Sequence, residues 1–319
     1  MRGGVRLRFA MLLLIGLLGS CSRILPAADA AMTPRRAFAA AVIDDWVYVV
    51  GGWNGDATQL GLVEVRNPHN GQWHRLADLN VPRSQHALIA ANNQLWAIAG
   101  WSADSGLVSA IEHMSLCNPA LPTPCSSWQI VSHLPTPRRE PGVALFASQI
   151  VVAGGFDGSS DADLDGYSDR VESYDLESGQ WRRLAALQIA RRGLSLVAVE
   201  DQLFAIGGYT PSGFTNVVER YDAIHDRWQI VDWALLPRTW TASAVVEGDI
   251  LLAGGYNADG FLNWIERINP QTGQLCHPPP LQIARSWFAL APTSHAIIAR
   301  GGETSAGFTG AVETVTASC

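Results

Sequence analysis

The stretch Ala39-Ala40-Ala41-Val42-Ile43-Asp44-Asp45-Trp46-Val47-Tyr48-Val49-Val50-Gly51-Gly52 decides the fold. Two short runs, apolar and rich in β-branched or aromatic residues, flank an Asp-Asp turn, and a glycine pair ends the second run. This is the pattern of a two-stranded hairpin, with glycine where the backbone must turn freely and no side chain fits. The pair recurs at Gly154-Gly155, Gly207-Gly208, Gly254-Gly255 and Gly301-Gly302, with Ala99-Gly100 as a variant. From one second glycine to the next the intervals are 48, 55, 53, 47 and 47 residues. An arginine opens each unit at those same intervals: Arg35, Arg83, Arg138, Arg191, Arg238 and Arg285. A glutamate follows each pair by 11 or 12 residues (Glu64, Glu112, Glu219, Glu266, Glu313), except Glu172, which follows by 17. Trp73, Trp128, Trp181 and Trp228 come next; Leu275 takes that place in the fifth unit, and no Trp follows Glu313. Two apolar runs before each glycine pair and two after it predict an array of four-stranded units.

This order of markers resembles the kelch-repeat family: paired glycines, a glutamate before an aromatic-Asp pair (Glu172-Ser173-Tyr174-Asp175, Glu219-Arg220-Tyr221-Asp222), then a tryptophan. The resemblance implies an all-β fold, a six-bladed propeller of four-stranded blades spanning 35–319, with units beginning near 35, 83, 138, 191, 238 and 285. The sixth unit lacks a Trp-bearing fourth strand. An open last blade exposes strand edges, and propellers close by borrowing a strand from the other terminus. The spacing of Ser22–Pro26 from Pro34-Arg35 predicts that this segment completes blade six.

The chain of 319 residues has 22 Lys+Arg. All are arginine, which excludes lysine chemistry such as Schiff bases and P-loop phosphate binding. Arg2, Arg6 and Arg8 precede an apolar run from Phe9 to Leu18, the pattern of an export signal over 1–20. Leu18-Gly19-Ser20-Cys21 resembles a bacterial lipobox, which implies lipidation of Cys21 and a membrane-anchored protein of the cell envelope, facing the periplasm or exterior. Cleavage after Ala28-Asp29-Ala30 is the alternative. Removing residues 1–20 takes away three arginines and no acid, so 19 Arg face 29 Asp+Glu. That balance disfavours nucleic acid as a partner. Four further cysteines in an exported chain favour disulfides. Cys117 and Cys125 flank a stiff Pro-rich loop that suits one local bridge, which leaves Cys276 and Cys319 as a second pair or as two free thiols.

In such a blade the connection into the first strand and the loop after the second emerge on one face. The first carries arginines, doubled at Arg35-Arg36, Arg138-Arg139 and Arg191-Arg192. The second carries aromatics after the glycine pair: Trp53, Trp101, Phe156, Tyr209 and Tyr256, with Glu303 in unit six. Phe38, His86, Trp240 and Trp287 add to the blade openings. Guanidinium forks grip carboxylates and rings stack on apolar faces, so this face suits a protein or glycan ligand. The unit-opening arginines could serve either the blade or a ligand. Arg36, Arg139 and Arg192 occur in only three units and are the better ligand candidates, with Trp53, Trp101, Phe156, Tyr209, Tyr256, Trp240 and Trp287.

The third unit is longer, and its insertion reads Asp161-Ala162-Asp163-Leu164-Asp165-Gly166-Tyr167-Ser168-Asp169, then Glu172. Side-chain oxygens at Asp161, Asp163, Asp165, Asp169 and Glu172, with the Tyr167 carbonyl, match a calcium-loop template. The first nine positions also resemble the calcium loops of integrin α-subunit propellers, which implies a structural Ca²⁺. A solvated acidic turn is the alternative. No nucleophile elbow, HExxH or GxGxxG is present. The reading is therefore a non-catalytic binding propeller. The alternative is a periplasmic isomerase similar to kelch-type sialic-acid mutarotases, for which Arg139, Glu140 and Glu303 are the candidate groups.

Overall fold

The computed structural model describes residues 25–26, 32–118, 121–124, 126–158 and 165–319. The export signal, Cys21, Cys125, Asp161 and Asp163 lie outside the described residues.

The first hairpin is Ala39–Ile43 and Trp46–Val50, turned by Asp44 (φ 47°) and Asp45 (φ 66°). Positive φ at both central residues matches the right-handed twist of paired strands. Val63–Arg66 and Trp73–Arg75 complete the same antiparallel sheet. The pattern repeats with strand order 1-2-3-4 in blades three, four and five. Blade three, for example, comprises Gly142–Phe146, Gln149–Ala153, Val171–Asp175 and Trp181–Leu184. The first strands of all six blades lie side by side in a closed circle, with blade six (Ala289–Pro292) next to blade one (Ala39–Ile43). The chain is thus a six-bladed propeller about a central channel.

Each blade is a sheet sandwiched between two others, which explains why second strands such as Trp46–Val50 are buried at every residue. Alternate residues serve opposite junctions because successive side chains point to opposite faces. Trp46, Tyr48 and Val50 pack toward blade two, and Val47 and Val49 toward blade six. Among the described residues six hydrophobic clusters result, one per junction. The repeat tryptophans latch neighbouring blades: the indoles of Trp128 and Trp228 each donate at 3.0 Å to a carbonyl of the preceding blade, Ala77 and Ala185.

The glycine pair has a strict steric cause. Gly51 and Gly52 sit at φ 64° and 103°, and a Cβ on Gly51 would lie 2.5 Å from the Arg83 carbonyl. Ala99 takes the first position in blade two at φ 63°, a left-handed conformation that costs a non-glycine residue about 1–2 kcal/mol.

Ring closure differs from the sequence expectation. Leu25 and Pro26 pair with Arg75 and His74 on the outer edge of blade one, not with blade six. Among the described residues blade six has three strands. Chain spacing limits how far a segment reaches, but it does not choose between two outer edges that flank one junction. That junction is held by other means. Met32 is fully buried in it, Arg300 lies 3.9 Å over the Trp73 ring, and Asp45 accepts hydrogen bonds from Ser294. A Cys276–Cys319 disulfide ties the C-terminus to the fourth strand of blade five, and Arg267 donates at 3.1 Å to the Ala317 carbonyl. Cys117 is also disulfide-bonded.

Candidate functional site

The six unit-opening arginines are buried inside their own blades. Each is paired with the repeat glutamate of that blade: Arg35–Glu64, Arg83–Glu112, Arg138–Glu172, Arg191–Glu219, Arg238–Glu266 and Arg285–Glu313. Blade two shows the full clamp. Arg83 Nη1 donates to the carbonyls of Ala99 (3.2 Å) and Ala110 (2.7 Å), and Nη2 donates to Glu112 at 2.6 Å. Glu112 in turn accepts from the backbone N–H groups of Asn80 and Val81. One pair therefore joins the incoming loop, the end of the second strand and the start of the third. Burial pushes these guanidinium groups down, Arg191 to about 10, against the pull of the paired carboxylate. Burial also raises Glu219. These arginines do not reach a ligand.

The same pairing engages Glu172, one of the candidate calcium ligands. Glu172 accepts from Arg138 at 2.7 Å and from the Thr136 hydroxyl at 2.9 Å. Its carboxylate is engaged by the clamp, as the repeat glutamates of the other blades are. Among the described residues no group of three or more His, Cys, Asp or Glu side chains could hold a metal. Asp165 (φ 47°) and Gly166 (φ 79°) make a sharp bend, and the Tyr167 ring is buried against Phe156 and Tyr209.

One residue further along, the chain reaches the face. Isolated bridges join Arg36 to Trp53, Ser84 to Trp101, Arg139 to Phe156, Arg192 to Tyr209, Thr239 to Tyr256 and Ser286 to Glu303. The expected arginines and aromatics thus lie on one rim. Arg36 pairs with Glu303 across the closing junction and lies over Trp53 and Phe308. Arg192 pairs with Glu140 and lies over Tyr209 and Tyr167. Arg139 lies 4.9 Å over the Phe156 ring.

The next residue of each blade forms the inner lip. Ala37, Gln85, Glu140, Gly193, Trp240 and Trp287 all have φ between 52° and 62°. Their backbones link around the axis: Gln85 N donates to Ala37 O, Glu140 N to Gln85 O, Gly193 N to Glu140 O, Trp240 N to Gly193 O, and Trp287 N to Trp240 O. Only one of the six is glycine, so five side chains are carried in a conformation that L-residues rarely adopt. Backbone strain of this kind persists where surrounding structure enforces it, and it concentrates at functional sites. Trp240 and Trp287 stack at 4.8 Å and 25°, with Tyr256 5.9 Å from Trp240. The carboxylate of Glu140 is a hub, accepting from Gln85 Nε2 (3.0 Å), Arg192 Nη1 (3.1 Å) and Trp240 Nε1 (2.9 Å).

Three cavities follow from this arrangement. One of about 210 Å³ lies on the rim between Arg36, Trp53, Gln59, Trp101, Gln85 and Arg139. Another of about 160 Å³ lies at the mouth between His86, Glu140, Trp240 and Trp287. Below them the channel of about 460 Å³ is lined by first-strand residues such as Ala41, Gly142 and Ala244. His86 is buried with both ring nitrogens unpartnered, and burial with Arg83 and Arg35 nearby holds its pKa well below the usual range.

Some rim residues escaped the sequence reading. Gly213-Phe214, Gly260-Phe261 and Gly307-Phe308 form short hairpins with Tyr209, Tyr256 and Glu303. Their rings extend the aromatic rim: Phe214 lies 4.8 Å from Tyr209, Phe261 5.1 Å from Tyr256, and Phe308 5.6 Å from Trp53. A signal for them was present, a Gly-Phe step with its glycine five residues beyond the glycine pair in units four, five and six.

Comparison with known proteins gives the same picture. The Kelch motif model matches residues 34–80, 137–188, 190–231 and 237–281. Blade two, which carries Ala99, and blade six, which has three strands among the described residues, fall outside the match. Beta-scruin of Limulus polyphemus is 28% identical over 186 residues, covering 56% of this chain and 20% of that protein. Kelch repeat and BTB domain-containing protein 1 of Cowpox virus (strain Brighton Red) is 27% identical over 180 residues, covering 56% and 30%. Kelch-like protein 35 of Mus musculus is 26% identical over 175 residues, covering 54% and 27%. The match thus spans a third or less of these relatives' own length. A solved structure described as "Structure of YjhT" superposes with TM-score 0.73 and 16% identity, covering 90% of this chain and 96% of that one. This likeness concerns the fold.

Proposed function

The chain belongs to the kelch-repeat family, and from that premise we propose that it is a non-catalytic binding propeller of the bacterial cell envelope. Its rim face recognises a protein or glycan, and a lipid on Cys21 holds the propeller at the membrane. The observation that carries the reading is the inner lip. Trp240 and Trp287, stacked at 4.8 Å, are held at φ 53° and 55° over an open channel mouth. The blade needs no bulky ring there, since Gly193 and Ala37 fill the same place in other blades. Aromatic plates of this kind supply much of the binding energy at interfaces and ligand sites.

The test is a glycan array together with a pull-down from detergent-solubilised envelope. The wild-type chain is expected to retain a defined glycan or protein that Trp240→Ala/Trp287→Ala loses. Ile224→Ser, a remote and 89% exposed position, should bind normally. Equal retention by all three proteins rejects the rim as the binding face.

The second reading, an isomerase acting on sialic-acid anomers, draws on Glu140 at the channel mouth beside Arg139. Both candidate carboxylates are already ion-paired, Glu140 to Arg192 and Glu303 to Arg36, which favours binding over proton transfer. Anomer exchange followed by NMR separates the two. The binding reading expects the uncatalysed rate, and a saturable acceleration lost in Glu140→Gln would establish the isomerase.

For the insertion in blade three we propose a calcium loop built from Asp161, Asp163, Asp165, Asp169 and the Tyr167 carbonyl, without Glu172. A bound Ca²⁺ would neutralise those carboxylates and brace the loop beside the rim residue Phe156.

A further inference from the structure

We propose that the rim pocket between blades one, two and three holds the carboxylate of a small organic acid, gripped by Arg139. The inference rests on the binding reading above and names the ligand chemistry of one part of that face. Of the three second-position arginines, Arg36 is neutralised by Glu303 and Arg192 by Glu140. Among the described residues Arg139 makes no ion pair within 4 Å, and the only side-chain contact found for it is the Phe156 ring. Among the described residues its Nε is buried with no hydrogen-bond partner, and its guanidinium carbon lies 4.9 Å from the centroid of the Phe156 ring. Among the described residues no counter-charge offsets the desolvation of this half-buried cation, and it borders an open cavity in a chain of net charge −7.

The cavity's shape and charge narrow the ligand. Its volume is about 210 Å³, below the ~300–1,000 Å³ of pockets that enclose drug-sized molecules, so the bound fragment is small. Trp53 and Trp101 line it and supply apolar surface, while Arg36 and Gln59 supply polar edges. Among the described residues one guanidinium of the pocket, Arg139, has no ion-pair partner, and it balances one negative charge. A phosphate dianion would call on a second cation, and Arg36 is already committed to Glu303. A planar monoanion that accepts two parallel N–H bonds fits, and a carboxylate is that group. The carboxylate can come from a sugar acid or from an amino acid, and the probes distinguish these.

Isothermal titration calorimetry on the full chain tests the assignment, with methyl β-D-glucuronide, N-acetylglutamate, the neutral methyl β-D-glucoside and inorganic phosphate as probes. The expected result is saturable binding of a carboxylate probe, weakened at least about tenfold in Arg139→Gln, with no binding of the glucoside. Arg139→Lys, which keeps the charge and loses the fork, should fall between the two. Preference for the glucuronide assigns a sugar acid; preference for N-acetylglutamate assigns an amino-acid carboxylate. Melting temperatures equal to the parent's show that the variants are folded. The proposal is overturned if no carboxylate probe binds, if Arg139→Gln binds as tightly as the parent, or if phosphate binds more tightly than the carboxylates. Such a result leaves the wider binding reading standing wherever partner capture still depends on Trp240 and Trp287.

Discussion

Arg35 and Arg36 are neighbours in sequence and opposites in structure. Arg35 is fully buried and shares its clamp geometry with five equivalents; Arg36 has a third of its side chain exposed and its partner, Glu303, comes from another blade. The same division separates Arg138 from Arg139 and Arg191 from Arg192. The first member of each doublet answers a need that every blade has, to tie its incoming loop to its second and third strands. The second member answers no shared need, since Ser84, Thr239 and Ser286 take that place elsewhere. Chemical identity does not separate the two groups. Repetition with a fixed partner does.

That contrast can be broken most directly through stability. Arg83→Ala leaves Glu112 buried and unpaired, and should cost about 3–5 kcal/mol. Arg36→Ala removes a partly exposed pair and should cost no more than about 1 kcal/mol. Chemical denaturation of both variants measures the difference, and comparable losses would erase the distinction between clamp and rim.

A smaller effect concerns pH. His86 stands where Phe38 and Phe288 stand in blades one and six, and its pKa is held well below 6.5 by burial first, then by Arg83 and Arg35. The unfolded chain takes up a proton near pH 6.5 that the folded chain refuses. Stability is therefore full above that pH and falls as pH drops below it, on the order of 1 kcal/mol per pH unit. His86→Phe should flatten that part of the profile of melting temperature against pH. An unchanged slope would mean that His86 is protonated in the folded state.

The smallest effect is expected at the insertion, which belongs to neither the repeated clamp nor the rim. Added Ca²⁺ should raise the melting temperature of the parent protein and leave that of Asp163→Ala unchanged. Glu172→Gln sharpens the contrast. It should destabilise the blade through the clamp without abolishing the calcium response, because its carboxylate belongs to Arg138.

Much of this architecture was legible because it recurs. The hairpin Ala39–Ile43/Trp46–Val50 and its Asp-Asp turn could be read residue by residue, since two-residue periodicity and turn chemistry are local. The rim aromatics Trp53, Trp101, Phe156, Tyr209 and Tyr256 were legible because each follows its glycine pair at a fixed step. The inner lip was legible only in part: Trp240, Trp287 and Glu140 stood out as residues, but not the backbone geometry they share with Ala37, Gln85 and Gly193. Gln85 shows nothing unusual in sequence, and only the run of backbone hydrogen bonds from blade to blade sets it beside Glu140. Glu172 satisfied two patterns at once, and sequence alone could not decide which one used its carboxylate.

By itself, then, the sequence determined the number of blades, the strands within them and which face gathers arginine and aromatic residues, because each follows from spacing along one chain. Tertiary structure alone decided which carboxylate meets Arg36 and Arg192, which edge receives Leu25 and Pro26, and, among the described residues, which second-position guanidinium makes no ion pair. Those outcomes depend on what meets a side chain from another blade. Arg36 and Glu303 are 267 residues apart, and no local pattern records that they touch.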